Sequence, residues 1–142
     1  MDNNKKFSIS SFISFFAKTM IEVFIPIILF NKGFSIKEIF IYMAFQYFFA
    51  IIVVYLSPKI DDLIKYKGLI IINSIFYIIT YFFLFNMTNT ILNLALLAFF
   101  YTIHTSIFWI LRHIYMIKIY PMNNLSKSVG NILIITELAF LF

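Results

Sequence analysis

The 142-residue chain has no cysteine, only three glycines and three prolines, and charge on just 12% of its positions. Without cysteine there are no disulfides, no thiolate metal ligands and no cysteine nucleophile, and the redox compartment stays undetermined. The scarcity of charge, set against 63% hydrophobic residues and a mean hydropathy of +0.97, excludes an ordinary soluble domain, in which roughly a quarter of the residues are charged. Other patterns are missing too. There is no Gly-rich phosphate loop, which excludes ATP-driven transport encoded in this chain, and nothing resembles H-E-x-x-H. His104 and His113 have no carboxylate near them at ligand spacing, and Ser106 beside His104 falls short of a nucleophile with its base. No metal, cofactor or enzymatic activity is expected.

What is present is apolar sequence. The abundance of Phe, Ile, Tyr, Asn and Lys has the look of an A+T-rich coding sequence, so the 20 phenylalanines need not encode a function. A net charge of +5 raises the question of nucleic acid, but no basic run is long enough to track a phosphate backbone. Membrane topology accounts for the charge better.

About 20 helical residues cover the hydrocarbon of a bilayer. By that measure the chain reads as an all-α, polytopic membrane protein: a single membrane domain, residues 1–142, with five transmembrane helices at about 7–30, 36–56, 69–85, 91–117 and 129–142. The turn "NKGFS" closes the first span, with Gly33 suited to a helix C-terminal turn, and Ser35 and Glu38 have the S-x-x-E spacing of a capping box opening the second. "SPKIDDLIKYKG" is expected to interrupt the chain after Leu56, and "NMTNT" after the third span. The last span, at 1.5 Å per residue, reaches only about 21 Å, which suggests a partial reading frame or a short re-entrant tail.

Basic residues near short loops are retained in the cytoplasm. Lys5, Lys6, Lys59, Lys65, Lys67, Lys118 and Lys127 fall on one side and only Lys32 and Lys37 on the other, so the amino terminus is expected to be cytoplasmic. The setting expected is the cytoplasmic membrane of a bacterium. The first run is too long for a cleaved signal peptide, carries Lys18 and Glu22, and lacks an A-x-A-like exit. Asn86, Met87 and Thr88 form an N-x-T sequon, a weak signal in so short a loop.

Three stretches, in this order and spacing, resemble the amino-terminal part of a major facilitator superfamily transporter. "NKGFSIKEIFIY" is similar to the family's short outer turn. "SPKIDDLIKYKG" occupies the place of its G-x-x-x-D-R-x-G-R-R loop, with Asp61 on the acidic position and Lys65 on a basic one. This copy departs from the pattern, since Ser57 replaces the leading Gly, Asp62 stands where a basic residue is usual and Ile64 replaces the internal Gly. "FWILRHIYMIKIYPMNNLSKSVGNIL" resembles the family's basic exit of the fourth helix and polar entrance to the fifth. The resemblance implies a fragment of a secondary active transporter that moves a small solute by alternating access. It would need a missing carboxy-terminal half and would not be active alone. The other reading is a small non-enzymatic membrane subunit or scaffold that packs against a partner membrane protein.

Charges inside spans are costly to bury and so point to sites. Lys18 lies roughly 16 Å into the first span, beyond the reach of snorkelling, and Glu22 is one turn later on the same face. The two form either a structural pair that lets the helix insert or a polar site facing a cavity. In the fourth span His104, Phe108 and Arg112 form one four-residue stripe, and Thr105, Trp109 and His113 form another beside it. His104 reads as a cavity residue or as a helix–helix hydrogen bond, Arg112 as a cavity residue or a snorkelling, topology-setting one. The family resemblance implies that the first and fourth helices line one cavity, which would set Lys18 and Glu22 opposite His104, Thr105 and Trp109, with Arg112 nearer the cytoplasm. Glu137 is a conceivable partner for Arg112. Asp61 and Lys65 read either as a gating contact or as a solvated, orienting loop.

Overall fold

The computed structural model describes the backbone of residues 3–63 and 66–119, with the isolated positions 130 and 134, and most of the side chains on them. All regular structure among the described residues is helical: α1 (Asn3–Asn31), α2 (Ile36–Leu63), α3 (Tyr66–Asn86) and α4 (Ile91–Ile119). Among the described residues three stretches, Ile36–Leu56, Lys67–Asn86 and Ile91–Lys118, are long and apolar enough to cross a membrane. The chain thus has the all-helical build, length and composition of a membrane protein. Among the described residues four helices stand where five were expected, and the expected span 129–142 lies outside them apart from the isolated positions 130 and 134.

One boundary differs from the expectation for a physical reason. Hydropathy falls after Leu56, but α2 continues to Leu63 and α3 begins at Tyr66. Loss of hydropathy marks where a helix leaves hydrocarbon, and a helix can continue past that point because its backbone bonds are internal. Most of the expected loop is therefore helix. Asp61 lies in the last turn of α2, and Lys65 is outside the described residues.

The turn from α1 to α2 follows the sequence closely. Phe34 N–H donates to the Leu29 carbonyl at 3.2 Å and Gly33 N–H to that of Phe30 at 2.9 Å, the two bonds of a Schellman C-cap. Gly33 takes the left-handed conformation this cap requires, with φ of 88°. Ser35 then caps α2. Its backbone N–H and hydroxyl each donate to Glu38 Oε2 at 2.8 Å, while Glu38 N–H donates to Ser35 Oγ at 3.3 Å, completing the expected capping box. Phe34, shared by the two caps, is buried. At the α3–α4 turn Thr90 is the N-cap, its Oγ1 accepting from Asn93 N–H at 3.3 Å, and the Asn93 amide reaches back to Thr88 O at 3.0 Å.

The chain divides into two compact units, Met1–Ile28 with His113–Phe142, and Leu29–Arg112. Within the second, α4 is the helix on which the others pack. A third of its apolar window, 33%, is buried against 11% for α2 and 17% for α3. Neighbouring residues on α4 serve different helices. Phe99 meets Phe49 of α2 edge-on at 5.4 Å, while Phe100 meets Phe76 and Phe83 of α3 at 6.3 and 5.7 Å. Leu94, Leu97 and Ala98, at the i, i+3, i+4 spacing of one helix face, are fully buried, as are Leu69, Thr80 and Leu84 on α3. The remaining faces expose large apolar side chains such as Phe40, Tyr47, Ile51 and Val54 on α2, the composition of a lipid-facing surface.

Candidate functional site

The polar residues singled out in the sequence fall into two groups, one in each compact unit. Lys18 and Glu22 belong to the unit that contains Met1–Ile28; His104, Thr105, Trp109 and Arg112 belong to Leu29–Arg112.

In the first group, Lys18 Nζ lies 3.4 Å from Glu22 Oε1, and the two side chains are 15% and 23% exposed. Helical spacing produces this pair, since residues four apart share a face. Two features missed in the sequence accompany it. Pro26 lies inside α1, four residues beyond Glu22, and having no N–H it cannot make the usual helix bond to the Glu22 carbonyl. Thr19, next to Lys18, has its Oγ1 buried with no hydrogen-bond partner among the described residues. A buried hydroxyl in that state costs free energy in a folded protein, and such groups call for a reason. The sequence signal for both was a proline and a threonine within one turn of a charged pair.

In the second group, His104 is buried and held mainly by α3 and its own helix. Its Nδ1 lies 3.4 Å from Asn73 Oδ1, and its ring stands edge-on to Tyr77 at 4.9 Å and Tyr101 at 6.0 Å. In the tautomer protonated at Nδ1 the imidazole donates to the amide oxygen. Of the two sequence readings of His104, this contact is the helix–helix hydrogen bond. Its partner Asn73 was missed, although a lone amide in the run "LIIINSIFYII" was the available signal. Thr105 Oγ1 donates to Tyr101 O at 2.8 Å and Thr102 O at 3.1 Å, so its hydroxyl is taken up by its own helix. Thr102, one turn away from the predicted stripes, is the threonine that crosses between helices, donating to Gln46 O of α2 at 3.3 Å. Gln46 in turn donates to Tyr42 Oη at 2.9 Å.

The stripes expected on α4 separate by burial: His104 and Arg112 are buried, whereas His113, on the Thr105–Trp109 stripe, is exposed. The Arg112 guanidinium carbon lies 5.4 Å from the centre of the Trp109 ring, a cation–π contact. Glu137, the conceivable partner of Arg112, is outside the described residues, as is Lys65 of the expected loop motif; for Asp61 only the backbone is described. Among the described residues no group of three or more His, Asp or Glu side chains could hold a metal ion.

No family model matches the chain, and no curated protein or solved structure does either.

Proposed function

We propose that this chain supplies part of the solute path of a secondary active transporter of the major facilitator type. It would act by alternating access in the cytoplasmic membrane of a bacterium, with the amino terminus in the cytoplasm. Its partners are the lipid bilayer, an unidentified small solute and a carboxy-terminal half that completes the site; it performs no covalent chemistry and binds no nucleic acid. The observation that carries the reading is the Lys18–Glu22 pair, 3.4 Å apart inside an apolar helix and beside the unsatisfied hydroxyl of Thr19. A helix needing only to insert would do so at lower cost with leucines at both positions, and ionisable groups retained at such depth serve substrate or ion paths. Within this proposal Lys18 and Glu22 bind the polar part of the solute, and within the Leu29–Arg112 unit Trp109 and Arg112 are the solute-facing candidates. His104 and Thr105 take lesser roles in this reading, because one is engaged with Asn73 and the other with its own helix carbonyls. Asp61 and Lys65 would form the cytoplasmic gate contact.

The test is genetic and chemical. The gene is deleted, small solutes in cells and medium are profiled, and the gene is restored as wild type or as the Lys18→Leu, Glu22→Leu double variant. The proposal expects one solute to change on deletion, to recover with the wild type, and to stay changed with a double variant that reaches the membrane in equal amount. Full recovery by the double variant would remove the cavity reading and leave a packing subunit in its place.

A further inference from the structure

On the topology expected from the sequence, Lys32 and Lys37 fall on the side with fewer basic residues. The structure gives Lys32 another task. Its Nζ donates to the carbonyls of Phe85 at 2.7 Å and Met87 at 3.3 Å, which lie at the carboxy-terminal end of α3, 53 and 55 residues away in sequence. The last carbonyls of a helix have no intrahelical donor and carry the negative end of its dipole, so a lysine ammonium there satisfies them and is itself favourably placed.

The reciprocal contact comes from the other turn. Asn89 Nδ2 donates to the carbonyl of Gly33, the residue after Lys32, at 2.6 Å. Each turn thus offers a side-chain donor to a backbone carbonyl of the other. A Cβ at Gly33 would stand 3.2 Å from Asn89 Nδ2, close enough that the amide would have to give way slightly. Residues adjoining the contacts, Phe34 on one turn and Leu84 and Met87 on the other, are buried. The Lys32–Phe85 and Asn89–Gly33 bonds are exposed, where water competes and each bond alone is weak, so the buried apolar residues beside them add to the junction.

We infer that Lys32 and Asn89 form a two-point latch that joins the α1–α2 turn to the α3–α4 turn and makes this end of the Leu29–Arg112 unit a fixed pivot. Motion of α2 against the α3–α4 hairpin is then smallest at the latch and grows toward the other end of these helices. The latch stands whether or not the chain takes part in transport.

Since the chain has no cysteine, spin labels can be placed uniquely at Ile36→Cys and Ile91→Cys, which begin α2 and α4 and are 65% and 51% exposed. Distances between the labels are measured by pulsed dipolar spectroscopy on the full chain in lipid nanodiscs. One narrow distribution is expected for the unaltered latch and for Lys32→Arg, which keeps a charged donor. Lys32→Met combined with Asn89→Ala should lose the single narrow peak. A distribution that stays narrow in that double variant overturns the latch, as does one already broad before the latch is altered. If the double variant does not fold, Lys32→Met and Asn89→Ala are read singly, and narrow peaks in both overturn it equally.

Discussion

The turns of the Leu29–Arg112 unit and the interiors of its helices handle polar groups differently. At the turns the shortest contacts between elements are 2.6 Å from Asn89 to Gly33 and 2.7 Å from Lys32 to Phe85, with Lys32 also 3.3 Å from the Met87 carbonyl. Inside the helices two contacts between elements are longer, 3.3 Å from Thr102 to Gln46 and 3.4 Å from His104 to Asn73. Short polar contacts there run instead along a single helix, as from Thr80 to Phe76 O at 2.7 Å and from Thr105 to Tyr101 O at 2.8 Å. The difference teaches where stiffness lies. A turn leaves carbonyls and N–H groups that only a neighbour can satisfy, whereas a hydroxyl within a helix finds the carbonyl four residues back. Under the latch inference, α2 and the α3–α4 hairpin shift least at this end and more toward the other.

The largest effect is expected at the turn. Gly33→Val forces a β-branched residue to φ of 88° and pushes a Cβ toward Asn89. It should lower stability by about 1–3 kcal/mol, read from unfolding of the purified chain in detergent. A loss too small to measure would mean that the turn relaxes and the contrast with the helix interiors is false. Ser35→Ala removes the N-cap of α2 and should cost about 1 kcal/mol in the same assay.

Inside the helices the sign should reverse at one position. Thr19→Val keeps the shape and deletes the buried hydroxyl that has no partner, so it should raise stability by about 1 kcal/mol. Under the proposed function it should also weaken solute uptake by the full transporter. A stability loss instead would show that the hydroxyl is satisfied in the membrane. The smallest effect is the coupling between His104 and Asn73. A double-mutant cycle to leucine should give less than about 0.5 kcal/mol, as suits a contact at the long limit of hydrogen bonding. Coupling well above that would make the helix interior as stiff as the turn.

Much of the fold was legible because its signals are local. Gly33 closing α1 and Ser35 with Glu38 opening α2 depend on residues within one turn of each other, and both caps formed as their spacing required. Lys18 and Glu22 likewise met because a helix brings residues four apart together. The second span ends at Leu56 as expected, but the helix that carries it runs on to Leu63, since hydropathy reports the solvent and not the hydrogen bonding of the backbone. The site was less legible. His104 and Thr105 are adjacent on α4 and looked equivalent, but a residue 31 positions away engages the first, while the second turns to its own helix.

Taken alone, then, the sequence determined an all-helical chain of membrane composition, the caps that end and begin its helices, and a charged pair within α1. Each follows from contacts no more than a few residues apart or from the bulk free energy of placing apolar side chains in lipid. Only the tertiary structure decided that α4 is the shared packing surface of its unit, that Asn73 meets His104, and that Lys32 caps α3 from 53 residues away. Such contacts are absent from the sequence pattern because a lysine ammonium or an imidazole accepts many partners, and which one it meets depends on how the helices come together.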